Sequence, residues 1–307
     1  MKKTSEYLRT RKSRGERIAM LTCYDFPTAL WEEQAGVDVM LVGDSVGTNV
    51  LGYESVREVT LDDVIHHVKA TRRGVSTAYL LADLPSGTYD EAADALLHAG
   101  ALLRAGADGV KLEGFRPEIV SYLTDRGVDV CAHLGLNPQV HEKHALQAKT
   151  ADAALQLIDE SAALEAAGAF MIVYELIPEE VAREATQRLG IPTIGIGAGR
   201  YTDGQVLVVH DALGANAFEL RHSRKYEDLR GRGTQAMRAY VEDVHSGRFP
   251  EATNVRHLPE AEAAFARRAR RRVQDVPSGR NASARPADPS REQQDFDEWC
   301  GHMAYHE

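Results

Sequence analysis

Residues 36–47 read GVDVMLVGDSVG, a short apolar run that ends at a carboxylate and a hydroxyl, Asp44-Ser45. Seven further runs rich in Val, Ile and Leu recur along the chain, separated by longer Ala-, Glu- and Arg-rich stretches with helical character. The eight runs cover residues 18–23, 37–42, 78–82, 109–112, 128–132, 170–174, 193–196 and 206–209. Continuous apolar runs that alternate with helices are typical of a parallel sheet covered on both faces, and eight of them predict a closed (β/α)8 TIM barrel.

Length, charge and cysteine content exclude several classes of protein. The chain has 307 residues, of which 43% are hydrophobic, enough for one large core. Its formal net charge of -10 argues against nucleic-acid binding, and no apolar run reaches the roughly 18 residues of a membrane span. Residues 1–20 lack the apolar stretch of a secretory signal, and Cys23, Cys131 and Cys300 indicate no disulfide framework. We therefore expect a cytoplasmic protein.

The chain changes character beyond the predicted barrel. Residues 225–246 have helical spacing, and we expect this helix to pack outside the barrel. Residues 261–273 predict a helix with a dense arginine run, while residues 277–294 have the composition of a disordered linker and precede a short tail. We expect a catalytic domain over residues 1–250 and a C-terminal extension over residues 251–307.

Polar or titratable side chains follow nearly every apolar run. They are Asp25, Asp44-Ser45, Asp83, Lys111 with Glu113, His133, Glu175 and His210-Asp211. Because the active site of a TIM barrel lies at the C-terminal ends of its strands, these side chains are expected on one rim. A sequence that only built a core would not need this arrangement, since buried carboxylates are costly unless paired or metal-bound.

Three of these carboxylates, Asp44, Asp83 and Glu113, are the predicted metal site. Without a cation, three converging carboxylates would repel one another and raise their pKa values. Mg²⁺ takes one or two carboxylates directly, so Glu113 reaches it either directly or through water. In the alternative interpretation, Asp44 and Asp83 only cap the helices that follow their strands.

Lys111, Glu175 and His133 are the remaining candidates. Lys111 lies two residues before Glu113 and shares its face of the strand, where it binds a substrate carboxylate or forms an ordinary salt bridge. Glu175 ends a strongly apolar run, and burial would raise its pKa toward the range of a general base; otherwise it is a solvated loop residue. His133 either hydrogen-bonds a substrate oxygen or is an ordinary core histidine.

A series of ordered motifs runs along the chain. They include MLTCYDFPTA at 20–29, GVDVMLVGDSVG at 36–47, LLADLPSGTY at 80–89, AGADGVKLEG at 105–114, HLGLNPQ at 133–139, ALEAAGAFMIVYELIP at 163–178, IPTIGIGAG at 191–199 and DGQVLVVHDALG at 203–214. In these motifs and their order the chain resembles the ketopantoate hydroxymethyltransferase (3-methyl-2-oxobutanoate hydroxymethyltransferase) family, whose barrels are of the phosphoenolpyruvate/pyruvate superfamily type. The resemblance covers roughly residues 5–250.

The resemblance implies a homo-oligomeric enzyme that transfers a hydroxymethyl group from 5,10-methylenetetrahydrofolate to 3-methyl-2-oxobutanoate. The reaction passes through an enolate stabilised by Mg²⁺ and gives 2-dehydropantoate for pantothenate biosynthesis. The magnesium positions of the family fall on Asp44, Asp83 and Glu113. Its oxo-acid contacts fall on Asp44, Ser45, Asp83 and Lys111, and its proton acceptor falls on Glu175.

Several segments depart from the family pattern. Where the family has a glycine-rich loop, residues 140–150 read VHEKHALQAKT, and residues 217–225 read AFELRHSRK in place of a PKFVK-like stretch. Ser86 stands where the family commonly has phenylalanine, and residues 251–307 have no recognisable counterpart. Three alternatives therefore stay open: a metal-dependent aldolase or C–C lyase that uses a free aldehyde, a hydroxymethyltransferase for a different 2-oxo acid, and a non-catalytic barrel.

Overall fold

A computed structural model describes residues 2–141 and 145–259, together with Phe265 and Ala269. Apart from those two residues, the predicted helix over 261–273 and the predicted linker over 277–294 lie outside the described part of the chain. The described residues divide into two compact units, one up to Asp228 and one from Leu229 onward. The domain boundary expected at residue 250 stays a prediction.

The first unit is a closed barrel of eight parallel strands that pair in chain order, with the last strand returning to the first. The strands are β1 (Ile18–Thr22), β2 (Val39–Val42), β3 (Tyr79–Asp83), β4 (Gly109–Glu113), β5 (Val130–Gly135), β6 (Met171–Glu175), β7 (Thr193–Ile196) and β8 (Gly204–Leu207). The predicted (β/α)8 barrel is thereby confirmed. The eighth strand begins and ends two residues earlier than predicted, because the apolar run continues past the strand into a helix that starts at Val209.

Helices cover the outside of the barrel and one of its ends. They are α1 (Ser5–Ser13), α2 (Phe26–Ala35), α3 (Leu61–Arg72), α4 (Ala92–Ala105), α5 (Pro117–Thr124), α6 (Ala151–Ala166), α7 (Glu179–Arg188) and the short α8 (Val209–Ala212). Polar N-caps start several of them: Asp25, for example, accepts a 2.8 Å hydrogen bond from the backbone N–H of Thr28 at the start of α2. Asp25 is thus a helix cap.

The second unit contains α9 (Leu229–His245), which confirms the helix predicted over 225–246, and a 3-10 turn at Ala252–Asn254. Among the described residues, no helix combines the length and the apolar character needed to cross a membrane.

Two apolar layers hold the barrel together. Alternate side chains of each strand point inward, where Tyr79, Leu81 and Val173 form the inner layer, or outward against the helices. Leu8 of α1 is fully buried in the inner layer. Around it, Lys3 and Lys12 pair with carboxylates that precede strands, at 3.0 Å and 2.8 Å. Helix α1 therefore closes the N-terminal end of the barrel, and a ligand must enter from the C-terminal end.

Candidate active site

Four predicted side chains meet at the C-terminal ends of neighbouring strands because of the strand register. Asp83, the last residue of β3, pairs with Lys111 of β4, and Glu113 at the end of β4 pairs with His133 of β5. Paired residues on neighbouring strands point to the same face. All four side chains are buried, with Asp83 only 1% exposed.

Asp44 joins this group from the turn after β2. Its backbone N–H donates a 3.0 Å hydrogen bond to Asp83 Oδ2, which places the two residues side by side. Neither aspartate caps a following helix, since the short π-helix Gly47–Leu51 after β2 has no side-chain cap, Thr60 caps α3, and the helix after β3 begins only at Ala92. The helix-cap interpretation is therefore wrong.

Lys111 neutralises part of this carboxylate cluster. Its Nζ lies 2.8 Å from Asp83 Oδ1 and 3.5 Å from Glu113 Oε1. The contact with Asp83 is an ion pair without hydrogen-bond alignment. Burial alone would lower the pKa of Lys111, but the carboxylates of Asp83 and Glu113 raise it well above its usual value. Lys111 is therefore a permanent cation inside the site.

The carboxylates respond differently to the same surroundings. Burial, reinforced by repulsion from Asp83 and then Glu113, raises the pKa of Asp44 well above its usual range. Burial also raises the pKa of Asp83, against the opposing charge of Lys111. Burial works in the same direction on Glu113, but its neighbours His133 and Lys111 outweigh it and lower the pKa to about 2. Glu113 is thus the firmly ionised member, and Asp44 is the one that most lacks a positive partner.

Glu175 stands apart from the carboxylate cluster, on the far side of His133. The Nδ1 atom of His133 lies 3.0 Å from Glu113 Oε1, and Nε2 lies 3.4 Å from Glu175 Oε2 without hydrogen-bond alignment. The Glu175 side chain is 15% exposed, so it is not a solvated loop residue. Burial is the main reason that its pKa rises to about 7. A carboxylate with this pKa can accept and release a proton near neutral pH.

Two further groups lie on the rim: Ser45, which the sequence predicts, and Gln139, which it does not. Ser45 Oγ lies 2.8 Å from the hydroxyl of Tyr24, which fixes the serine beside Asp44. Gln139 is buried and donates to Asp44 Oδ2 at 2.8 Å, while its backbone N–H donates to Glu113 Oε2 at 3.2 Å. The motif HLGLNPQ contains Gln139 but carries no charge at that position to mark a site residue.

An oxygen-only donor set with surplus negative charge suits Mg²⁺, which prefers carboxylate oxygens. Within the described ranges, however, no three His, Cys, Asp or Glu side chains are placed to hold one metal ion together. Glu113 already has polar partners on both oxygens, whereas Asp44 uses only Oδ2 in the described hydrogen bonds. Asp44 therefore keeps one carboxylate oxygen free for a ligand, with Asp83 beside it. Metal binding by Asp44, Asp83 and Glu113 stays a prediction.

Comparison with known proteins agrees with this geometry. A family model described as ketopantoate hydroxymethyltransferase matches residues 2–252. The chain belongs to the ketopantoate hydroxymethyltransferase family. The family is named for hydroxymethyl transfer, which is a different reaction from those of the aldolase and lyase alternatives.

Relatives named 3-methyl-2-oxobutanoate hydroxymethyltransferase support membership of this family. The protein from Shewanella piezotolerans is 45% identical over 253 residues, which cover 80% of this chain and 96% of the relative. The one from Gluconacetobacter diazotrophicus is 47% identical over 256 residues, or 81% and 93% of the two chains. The one from Hyperthermus butylicus is 46% identical over 245 residues, or 78% and 85%.

Solved structures with low sequence identity share the fold of the family. Phosphonopyruvate hydrolase in complex with oxalate and Mg²⁺ matches with a TM-score of 0.54 and 13% identity, covering 89% of this chain and 98% of that one. A 2,3-dimethylmalate lyase, a PEP mutase/isocitrate lyase superfamily member, matches with a TM-score of 0.53 and 14% identity, covering 89% and 100%. These likenesses show a shared fold, the closed (β/α)8 barrel, and nothing further.

Proposed function

We propose that this chain transfers a hydroxymethyl unit from 5,10-methylenetetrahydrofolate to 3-methyl-2-oxobutanoate, giving 2-dehydropantoate and tetrahydrofolate with consumption of one water. The observation that carries the proposal is the separation of two kinds of carboxylate. Asp44, Asp83 and Glu113 lie with Lys111 on one side of His133, and Glu175 lies on the other. One group suits binding, and the other suits proton transfer.

Binding of the oxo acid falls to the cluster around Lys111. Asp44, Asp83 and Glu113 would hold Mg²⁺, while the ammonium of Lys111 and the hydroxyl of Ser45 would meet the substrate oxygens. Mg²⁺ supplies Lewis-acid polarisation of the ketone, which makes the neighbouring C–H bond more acidic. Lys111 keeps its charge at every working pH because two carboxylates surround it.

Proton transfer falls to Glu175. Its carboxylate removes the proton from C3 of the oxo acid, and C3 then attacks the methylene carbon of the folate. Both C–N bonds of that methylene bridge break, water supplies the hydroxyl oxygen, and the two released protons end on the folate nitrogens. His133 lies between Glu113 and Glu175, so its ring limits where Glu175 can move and can donate to a substrate oxygen. The pKa of Glu175, raised to about 7 mainly by burial, makes it a stronger base than a solvated glutamate.

Assembly and location complete the proposal. We infer a homo-oligomer working in the cytoplasm, with the barrel as the catalytic domain and residues 251–307 as an extension. The homo-oligomer is inferred from the family, and the cytoplasmic location is inferred from the acidic charge and the absence of a disulfide framework.

The identity of the one-carbon donor decides between this proposal and the aldolase alternative, which the comparisons do not favour. Protein with Mg²⁺ and 3-methyl-2-oxobutanoate is given either methylenetetrahydrofolate or free formaldehyde, and products are followed by NMR. We expect 2-dehydropantoate and tetrahydrofolate in equal amounts with the folate donor, and a much slower reaction with formaldehyde. Faster turnover of formaldehyde would identify an aldolase instead.

A further inference from the structure

Gln139, in the loop after β5, contacts the chain at the ends of three other strands. Its Nε2 donates to Asp44 Oδ2 at 2.8 Å and to the backbone oxygen of Leu84 at 3.1 Å. Its backbone N–H donates to Glu113 Oε2 at 3.2 Å. With 5% of its surface exposed, this one residue links the segments that follow β2 and β3 to the end of β4.

Tyr89 fixes the orientation of the Gln139 amide through a hydrogen bond to its oxygen. The buried hydroxyl of Tyr89 donates to Gln139 Oε1 and lies 3.3 Å from the backbone nitrogen of Glu113. Because Oε1 accepts this hydrogen bond, the amide nitrogen must face Asp44. The two side chains and Glu113 therefore form one connected network.

A neutral donor is what a cation site requires at this position. A lysine here would neutralise the Asp44 carboxylate and compete with a metal ion, and an apolar side chain would leave Oδ2 buried without a partner. Gln139 fixes Oδ2 without changing the charge. In the part of the chain that the structure describes, Oδ1 of Asp44 takes no hydrogen bond and stays available to a ligand.

We propose that Gln139, supported by Tyr89, is a positioning residue that holds Asp44 and Glu113 in the orientation needed to bind a divalent cation. The inference rests on the proposed function, because it concerns the carboxylates assigned there to Mg²⁺. Groups that orient metal ligands typically change metal affinity 10–100-fold when removed. The proposal adds two uncharged residues, neither of which touches the metal, to the machinery of the site.

The test measures the affinity for Mn²⁺, a spectroscopic probe for Mg²⁺, by electron paramagnetic resonance on the full chain without substrate. Gln139→Met removes the amide and keeps the volume, and we expect it to weaken Mn²⁺ binding at least about 10-fold. Tyr89→Phe removes only the hydroxyl, and we expect a loss of about 2–10-fold, the effect of one hydrogen bond. In the double variant, Tyr89→Phe should have a smaller effect than it has alone, because part of its effect acts through Gln139; the remainder reports the contact of its hydroxyl with the backbone of Glu113.

Tyr79→Phe is the matched control for loss of a buried tyrosine hydroxyl. Tyr79 donates to Asp129 at 3.0 Å near the N-terminal end of the barrel, so its loss should leave the Mn²⁺ affinity unchanged. If Gln139→Met does not fold, Tyr89→Phe against Tyr79→Phe decides alone. If the wild-type protein binds Mn²⁺ and the affinities of Gln139→Met and Tyr89→Phe both stay within twofold of it, only the positioning role is overturned. A wild-type protein that binds no Mn²⁺ would overturn the proposed metal site and this inference with it.

Discussion

Replacing Glu32 by glutamine should stabilise the protein, and by more at high pH than at low pH. Glu32 lies on α2 and is 3% exposed. Neither of its carboxyl oxygens has a hydrogen-bond partner among the described residues. Burial, with a smaller contribution from Asp25, raises its pKa from 4.5 to about 8. The folded protein therefore keeps Glu32 protonated over a pH range in which the unfolded chain has already ionised it.

The size of the effect follows from the two pKa values. Because the unfolded state loses this proton first, the free energy of unfolding falls by about 1.4 kcal/mol for each pH unit between 4.5 and about 8. The accumulated penalty is about 2 kcal/mol at pH 6 and about 5 kcal/mol at pH 9. Glutamine has the shape of a protonated glutamate and does not titrate. Glu32→Gln should therefore gain about 3 kcal/mol more at pH 9 than at pH 6.

Urea unfolding followed by circular dichroism at the two pH values measures this difference. Glu33→Gln is the matched control on the same helix. Glu33 accepts hydrogen bonds from the backbone N–H groups of Thr77 and Ala78. Burial alone would raise its pKa, but the hydrogen bond of the Thr77 side chain, followed by the backbone hydrogen bonds, outweighs burial and holds the pKa below the usual value. Glu33→Gln should therefore destabilise the protein. An equal change in stability at both pH values in Glu32→Gln, or a loss of stability at pH 9, would show that burial does not keep Glu32 protonated in the folded protein.

Three further predictions concern the site itself. Glu175 must be deprotonated to act as a base, and burial raises its pKa to about 7. The rate of solvent exchange at C3 of the oxo acid should therefore rise about tenfold per pH unit below pH 7 and level off above it; a flat profile would contradict this. Lys111→Met removes the cation between Asp83 and Glu113, so calorimetric titration should show weaker oxo-acid binding and tighter Mn²⁺ binding. Chelation by EDTA should abolish C3 exchange and leave the circular dichroism spectrum unchanged, and added Mg²⁺ should restore exchange; exchange that survives EDTA would argue against the metal.

Most of the barrel and of its rim could be predicted from the sequence because a hydrophobic pattern and a rule of the fold act together. Apolar runs bounded by helices define parallel strands, and the barrel rule places whatever follows each strand on a common rim. Asp44, Asp83, Lys111, Glu113 and Glu175 are all found there. The last strand was misplaced by two residues because Gly204 and Gln205 pair through their backbones, which hydropathy does not report.

Residues positioned by loops and helix packing could not be predicted in the same way. Gln139 enters the site only because its loop folds back across the strand ends, and its side chain has no charge to mark it. Asp25 follows a strand as Asp44 does, yet it caps a helix instead. Glu32 is of a residue type typical of solvent-exposed helix positions, and only the packing of α2 shows that it is buried.

We propose that Glu175 removes the C3 proton of the oxo acid while the carboxylate cluster holds the oxo acid in place. Deuterium exchange at C3 of 3-methyl-2-oxobutanoate, followed by NMR with Mg²⁺ and without folate, isolates that step. We predict rapid exchange by the wild-type protein and a loss of at least about 100-fold in Glu175→Gln, with Mn²⁺ affinity and thermal stability retained. Exchange by Glu175→Gln at the wild-type rate, or no exchange by the wild-type protein, would contradict the account.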